Sequence, residues 1–213
     1  MIKATLKLIT PLKTIETKIL SAMVAHINSR INRGAVQSKI SNQASSLILS
    51  VLKNSATVQS IISGELRGSL GIASPSDIEA INFAISQTVN VTVQKASVRG
   101  GSIQMSLTLT AVPIDLQSVV GQYGQYRTEK GTSIRWFDWL TTLGDAVIVA
   151  EYTVEGGHPR SSRTGDKIMV AGKGWRVPPQ HAGTIGNNFI TKATDDILVP
   201  LGNFIEKTIR TAI

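Results

Sequence analysis

The chain has no cysteine among its 213 residues, which excludes a disulfide framework, a thiolate metal site and a cysteine nucleophile. A reducing cytoplasm is the setting this composition fits. Long apolar runs are also missing: nothing approaches the roughly 18 consecutive apolar residues that a membrane helix needs, so no membrane partner is expected. The opening stretch "MIKATLKLITPLKTIETKIL" carries lysines, but Lys7, Pro11 and Lys13 interrupt its apolar core and no small-residue cleavage site follows, so a signal peptide and export are not expected. Aromatic residues make up only 5%, and three of the ten fall together in Trp136, Phe137 and Trp139.

Hydrophobic residues at 42% with 17% charge exclude wholesale disorder and predict a soluble chain able to bury a core, as a single domain over 1–213. The net charge of +8 is uneven. Residues 1–70 hold nine basic side chains against Glu16 and Glu65, which leaves the remainder almost neutral. Within that remainder, 156–183 gathers Arg160, Arg163, Lys167, Lys173 and Arg176 against Asp166 alone. A field of this kind favours a polyanion such as DNA.

Leu12, Ile15, Ile19, Met23, Ile27 and Ile31 recur at steps of three and four and predict one helix of about 20 residues, ended or bent at Gly34. Val36, Ile40, Ala44, Leu47, Ile48, Val51 and Leu52 continue the habit, with Val58, Ile61 and Ile62 after them, until "SGELRGSLG" breaks it. Residues 1–72 therefore read as a helical half. In "SPSDIEAINFAIS", Ser74 is the expected N-cap, Pro75 the first helical residue, and Ile78, Ile81 and Ile85 the buried face.

The period then drops to two. Val89, Val91 and Val93, a turn at "SVRGG", and Ile103, Met105, Leu107 and Leu109 alternating with polar residues predict an antiparallel hairpin closed by Pro113. "QYGQYRTEKGTS" reads as a loop or extension, Ala146–Val154 as a third strand, and "KIMVAG" as a short fourth strand pairing with it. Ile185–Val199 reads as a helix broken at "VPLG", and Gly202–Ile213 as a last helix or tail. The class is α+β: a small antiparallel sheet of about four strands with helices packed on one face, residues 73–213 forming the α+β core and 156–183 a long basic loop. Such a loop is far beyond the usual connection length of about 4–6 residues.

No catalytic spacing stands out. His26 sits beside the stripe of the first helix with no carboxylate or histidine at contact spacing and reads as structural or solvated. His158 and His181 share the long loop with Asp166 and Glu155 and leave a metal or general-base site open, although H-E-x-x-H is absent. The glycines of "GKGWR" and "GELRGSLG" lack the strand-to-helix context of phosphate cradles, so no cofactor is expected. Trp136, Phe137 and Trp139 read as a packing plug, with an interface anchor as the middle option and a base-stacking platform last.

One run is more suggestive: "AVIVAEYTVEGG", then the basic glycine-containing loop, then "WRVPPQHAGTIGNNFITKA" leading into the last helices. It resembles the C-terminal half of tail-completion (head–tail joining, or tail-terminator) proteins of tailed bacteriophages. The resemblance covers about 50 residues, and the length of both this loop and the N-terminal helical half departs from the short members. It implies a structural virion protein, not an enzyme, assembled in the host cytoplasm into a ring, commonly sixfold, between portal or adaptor and tail tube, with DNA passing through its lumen. Arg160, Arg163, Lys167, Lys173 and Arg176 would then contact either phosphates or an adjacent acidic subunit. A lumen that lets DNA through should not grip it, which favours the subunit contact, with the loop as an assembly arm. The alternatives are a basic DNA-binding accessory protein and a hydrolase using His158 or His181.

Overall fold

The computed structural model describes residues 11–31, 34–72, 74–110, 120–127, 131, 133–162 and 164–211. Its first half is helical, as the 3.6 periodicity requires. Helix α1 spans Leu12–Ile31, α2 Gly34–Asn54 and α3 Ala56–Ser63. Ile40, Ala44, Ile48 and Leu52 recur every four residues, so they share one side of α2, and all four are buried. Burial of each large aliphatic chain stabilises the fold by roughly 1.5–3 kcal/mol. Ser55 caps α3, its hydroxyl accepting from Val58 N–H at 3.3 Å.

Two details of this half differ from the sequence reading. Gly64 does end α3, but Glu65–Leu70 within "SGELRGSLG" forms a short helix α4, stopped by Gly71 in the left-handed region at φ 71°. In α1 only Ile27 and Ile31 of the expected apolar stripe are buried; Leu12 is 70% exposed, Ile19 54% and Met23 41%. The reason is where α1 docks. Its C-terminal half, through Val24, Ile27 and Ile31, packs with Ala96, Val93, Ile103 and Met105 of the following hairpin.

Helix α5 runs Ser76–Gln87 with Ile78, Ile81 and Ile85 fully buried. It begins one residue later than the N-cap expectation: Pro75 precedes it, and Ser74 Oγ accepts from Ser76 N–H at 3.3 Å. Asn82, on the buried side of α5, is fully enclosed with neither amide atom hydrogen-bonded.

The α+β class holds, but the strands pair two by two and not as one sheet of about four. β1 (Asn90–Val93) pairs with β4 (Leu107–Thr110), and β2 (Ser97–Arg99) with β3 (Ser102–Gln104), so the expected hairpin is one ribbon interrupted at 94–96 and 105–106. Its tip is the two-residue turn Gly100–Gly101, both at positive φ, the geometry that matches strand twist. Among the described residues a helix flanks this ribbon: Gln37 of α2 donates its side-chain amide to the Val91 carbonyl. Pro113 lies outside the described residues. The expected loop after it contains a short ladder, β5 (Tyr126–Arg127) with β6 (Ser133–Ile134).

Helix α6 (Trp136–Thr141) drives Trp136 and Phe137 into the core, where Phe137 meets Trp136 and Phe189 edge to face at 5.9 and 6.2 Å. These two side chains are packed inside the subunit, as the packing-plug reading has them. Trp139 is half-buried, tilted against Trp175 at 5.9 Å.

The C-terminal helices are divided differently from expectation. Asn188 starts α7 (Phe189–Asp196) with a capping box, its Oδ1 accepting from Ile190 and Thr191 N–H while its own N–H donates to Thr191 Oγ1. Helix α8 (Leu198–Arg210) then runs through "VPLG". Pro200 falls in its first turn, where a missing N–H has no intrahelical partner to lose.

Candidate assembly site: a ribbon and a cleft

The expected loop 156–183 is not open throughout, and of the expected third strand Ala146–Val154 only the part from Tyr152 onward forms a ladder. After an isolated bridge between Val149 and Trp175, Glu151 turns the chain at φ 63°, and β7 (Tyr152–Glu155) pairs with β8 (Ile168–Ala171) as the "KIMVAG" reading expects. The connection 156–167 is held by its own bonds: His158 N–H donates to Asp166 O at 2.8 Å, Gly157 N–H to Asp166 Oδ1 at 3.1 Å, and Ser162 Oγ to Lys167 O at 2.6 Å.

Alternation along the ladder places Tyr152, Val154, Met169 and Ala171 on one face and Thr153, Glu155, Ile168 and Val170 on the other. Apolar residues thus occupy both faces. None of them belongs to either hydrophobic core, and no described helix or strand packs broadly over them. Tyr152 is 48% exposed and Met169 41%.

Lys167 fastens this ribbon to the body. Its ammonium reaches Ser69 Oγ at 3.1 Å, Glu65 O at 3.3 Å and Glu65 Oε1 at 3.8 Å, while its stem crosses Gly68, where a Cβ would lie 2.9 Å away. Its side chain is only 18% exposed, so within the subunit Lys167 acts as an internal clamp. Arg176 faces Asp145 at 3.8 Å across an exposed surface, a weak pairing. Arg160 and Lys173 are exposed. Arg163 lies outside the described residues.

Beyond the ribbon the chain tucks in. Val177 is buried, and Gly183 sits so close to Leu140 O and Asn188 that a Cβ would fall 2.6 Å from Asn188 Cβ. This anchors residues 180–182 beside the end of α2, the start of α3 and α7, enclosing an open cleft of roughly 490 Å³. Val51, Ala182, Phe189 and Ala193 supply its apolar lining, and His181, Thr57, Lys192 and Asp196 its polar groups.

His181 Nδ1 lies 3.1 Å from Thr57 Oγ1. Burial lowers the His181 pKa below its usual 6.5, against a smaller upward pull from Glu65, so the ring is mostly neutral at pH 7. No spacing in the sequence could announce a pair 124 residues apart. The two loop histidines are not brought together: His158 belongs to the Asp166 turn and His181 to the Thr57 cleft. Among the described residues no group of three His, Asp or Glu side chains could hold a metal ion. His26 is exposed on α1.

The cleft runs into an acidic corner. Asp195 and Asp196 end α7, Ile197 turns inward, and Leu198 and Val199 open α8 in solvent, Val199 at 72% exposure. Neither aspartate forms an ion pair among the described residues. Comparison of the chain with protein-family models, with curated proteins and with solved structures finds no match.

Proposed function

We propose that this chain is a structural virion protein of a tailed phage, which forms a ring, sixfold in the expected arrangement, at the head–tail junction or the tail end. It works by fitting against copies of itself and against portal or adaptor and tail-tube proteins, and it performs no chemistry. DNA passes through the ring without sequence recognition.

The observation that carries the self-assembly reading is apolar surface outside the core on three separate elements: the first turns of α1, the β7–β8 ribbon and the start of α8. Contiguous exposed apolar surface marks contact sites. The phage setting rests on the resemblance of the run from Ala146 to Ala193.

The decisive measurement is the mass of the purified chain in solution, followed by imaging of the particle. A closed multiple of the 22.8 kDa subunit with a central hole is expected. A single subunit at every concentration, or one that binds duplex DNA with an affinity falling steeply between low and physiological salt, overturns the reading.

A further inference from the structure

We propose that the β7–β8 ribbon is an exchangeable arm: on assembly it lifts from its own subunit and docks on α4 of the next copy, through the same Lys167 clamp that holds it within the single chain. This inference rests on the self-assembly reading and assigns its contact.

The arm is a unit complete in itself. Its four-residue ladder and the bonds described above for the 156–167 connection are internal to it, so none of them breaks when it moves. It adds no residue to either core, and beyond its own pairing no described helix or strand packs broadly on it. A gap of roughly 140 Å³ stays open between Gly68 and Gly71 on the body and Val154 and Met169 on the arm. What fastens it is Lys167 on Ser69 and Glu65, next to Ile168 at the far end of the ladder from the body.

The near end is built as a hinge. Val149 and Trp175 are bridged, and Trp175 packs on the main core, so the base of the arm is fixed. Between this bridge and the ladder lie Glu151 at φ 63°, the one described residue other than glycine at positive φ, and on the opposite strand Gly172 and Gly174, the latter at φ 107°. A few element-terminal residues that absorb a change of φ and ψ are enough to swing a domain or an arm, and a short connection under strain invites exchange between copies.

Clamp and seat are on the same chain, so every copy offers both. Docking on a neighbour repeats the contacts of Lys167 with Ser69, Glu65 and the face of Gly68. Exchange therefore gives up no contact of the clamp, and it lets Glu151 leave the left-handed region. Arm and seat are different surfaces, so the exchange runs head to tail and closes into a ring or propagates as a filament.

The wild-type chain carries its own probe, because the Lys167 ammonium and the Glu65 carboxylate lie 3.8 Å apart. Nitrogen-14 and nitrogen-15 forms are mixed in equal amounts while unfolded, refolded together, assembled and treated with a zero-length carbodiimide. Mass spectrometry of the joined Glu65 and Lys167 peptides should find mixed-isotope pairs as abundant as single-isotope ones. A second test uses Gly68→Cys with Lys167→Cys in a chain that has no other cysteine. A Cβ at Gly68 would lie 3.3 Å from Lys167 Cβ, close to the roughly 3.5–4.5 Å of a disulfide. Oxidised while dilute, this variant should be locked as a single subunit that no longer assembles. Oxidised after assembly, it should run as covalent multimers in denaturant without reductant. Cooperative thermal unfolding checks its fold, and the isotope test stands without it.

An oligomeric wild type whose joined peptides are all of single isotope overturns the exchange and leaves the self-assembly reading standing. So does a folded, disulfide-locked subunit that assembles like the wild type. A wild type that is itself a lone subunit overturns the reading beneath both.

Discussion

Asn28 of α1 holds both sides of the Ala96 backbone: its Nδ2 donates to Ala96 O at 3.1 Å and its Oδ1 accepts from Ala96 N–H at 2.8 Å. Ala96 lies in the interruption between β1 and β2, where the strand ladder cannot satisfy those groups, so a helix side chain substitutes for the missing strand. Replacing Asn28 with Ala should cost about 1–3 kcal/mol, because it leaves a buried N–H without a partner. Asn28→Asp should recover part of the loss, since it still accepts from that N–H. Thermal unfolding of the three proteins and amide exchange at Ala96 measure both effects; unchanged exchange in Asn28→Ala would contradict the docking described.

Asn82 presents the opposite case, a fully buried amide with no hydrogen bond. Such a group costs about 1–3 kcal/mol to desolvate. Asn82→Leu, which keeps the branched shape in a somewhat larger apolar side chain beside Ile78, Ile81 and Ile85, should raise the denaturant midpoint. Asn82→Ala, which also removes the burden but leaves a cavity, should gain less or lose stability. A lower midpoint for Leu than for Asn would show that the amide is satisfied.

The Lys167 clamp predicts a local effect. Lys167→Met keeps the stem over Gly68 and removes the three polar contacts to Glu65 and Ser69. Limited proteolysis should then cut within 156–167 several times faster, with little change in the temperature of global unfolding, because the ribbon contributes to neither core. Equal cleavage rates would mean that the turn's own bonds suffice to hold it.

His181 predicts a pH dependence. Its pKa is lowered in the folded state, mainly by burial, so the unfolded chain binds the proton more readily. Stability from this residue is complete above about 6.5, declines as pH falls below that value and levels off once the folded-state pKa is passed. His181→Gln should flatten the unfolding temperature between pH 7 and pH 5 relative to wild type. An identical slope in both proteins would assign the acid sensitivity elsewhere.

Much of the scaffold could be read from residue order. Steps of four from Ile40 to Leu52, the triad Ile78, Ile81 and Ile85, and the alternation of Val91 and Val93 opposite Leu109 and Leu107 state which side of each element is dry. The pairing of "KIMVAG" with the strand before it was legible too, and so was the class, but the expected strand Ala146–Val154 is laddered only from Tyr152. The clamp, the Thr57–His181 pair and the Asn28–Ala96 pair were not, since each joins groups 68 to 124 residues apart.

Local order settled the periods, the turns and the absence of cysteine chemistry, because those depend on backbone geometry and neighbouring residues. Tertiary packing alone decided which apolar residues are covered. Met23 and Ile27 follow one another on the same helical stripe, yet Ile27 meets the hairpin and Met23 meets water. Periodicity specifies a face; only the docking of α1 through Asn28 and Ile31, and of the ribbon through Lys167, specifies how far along that face a neighbour extends.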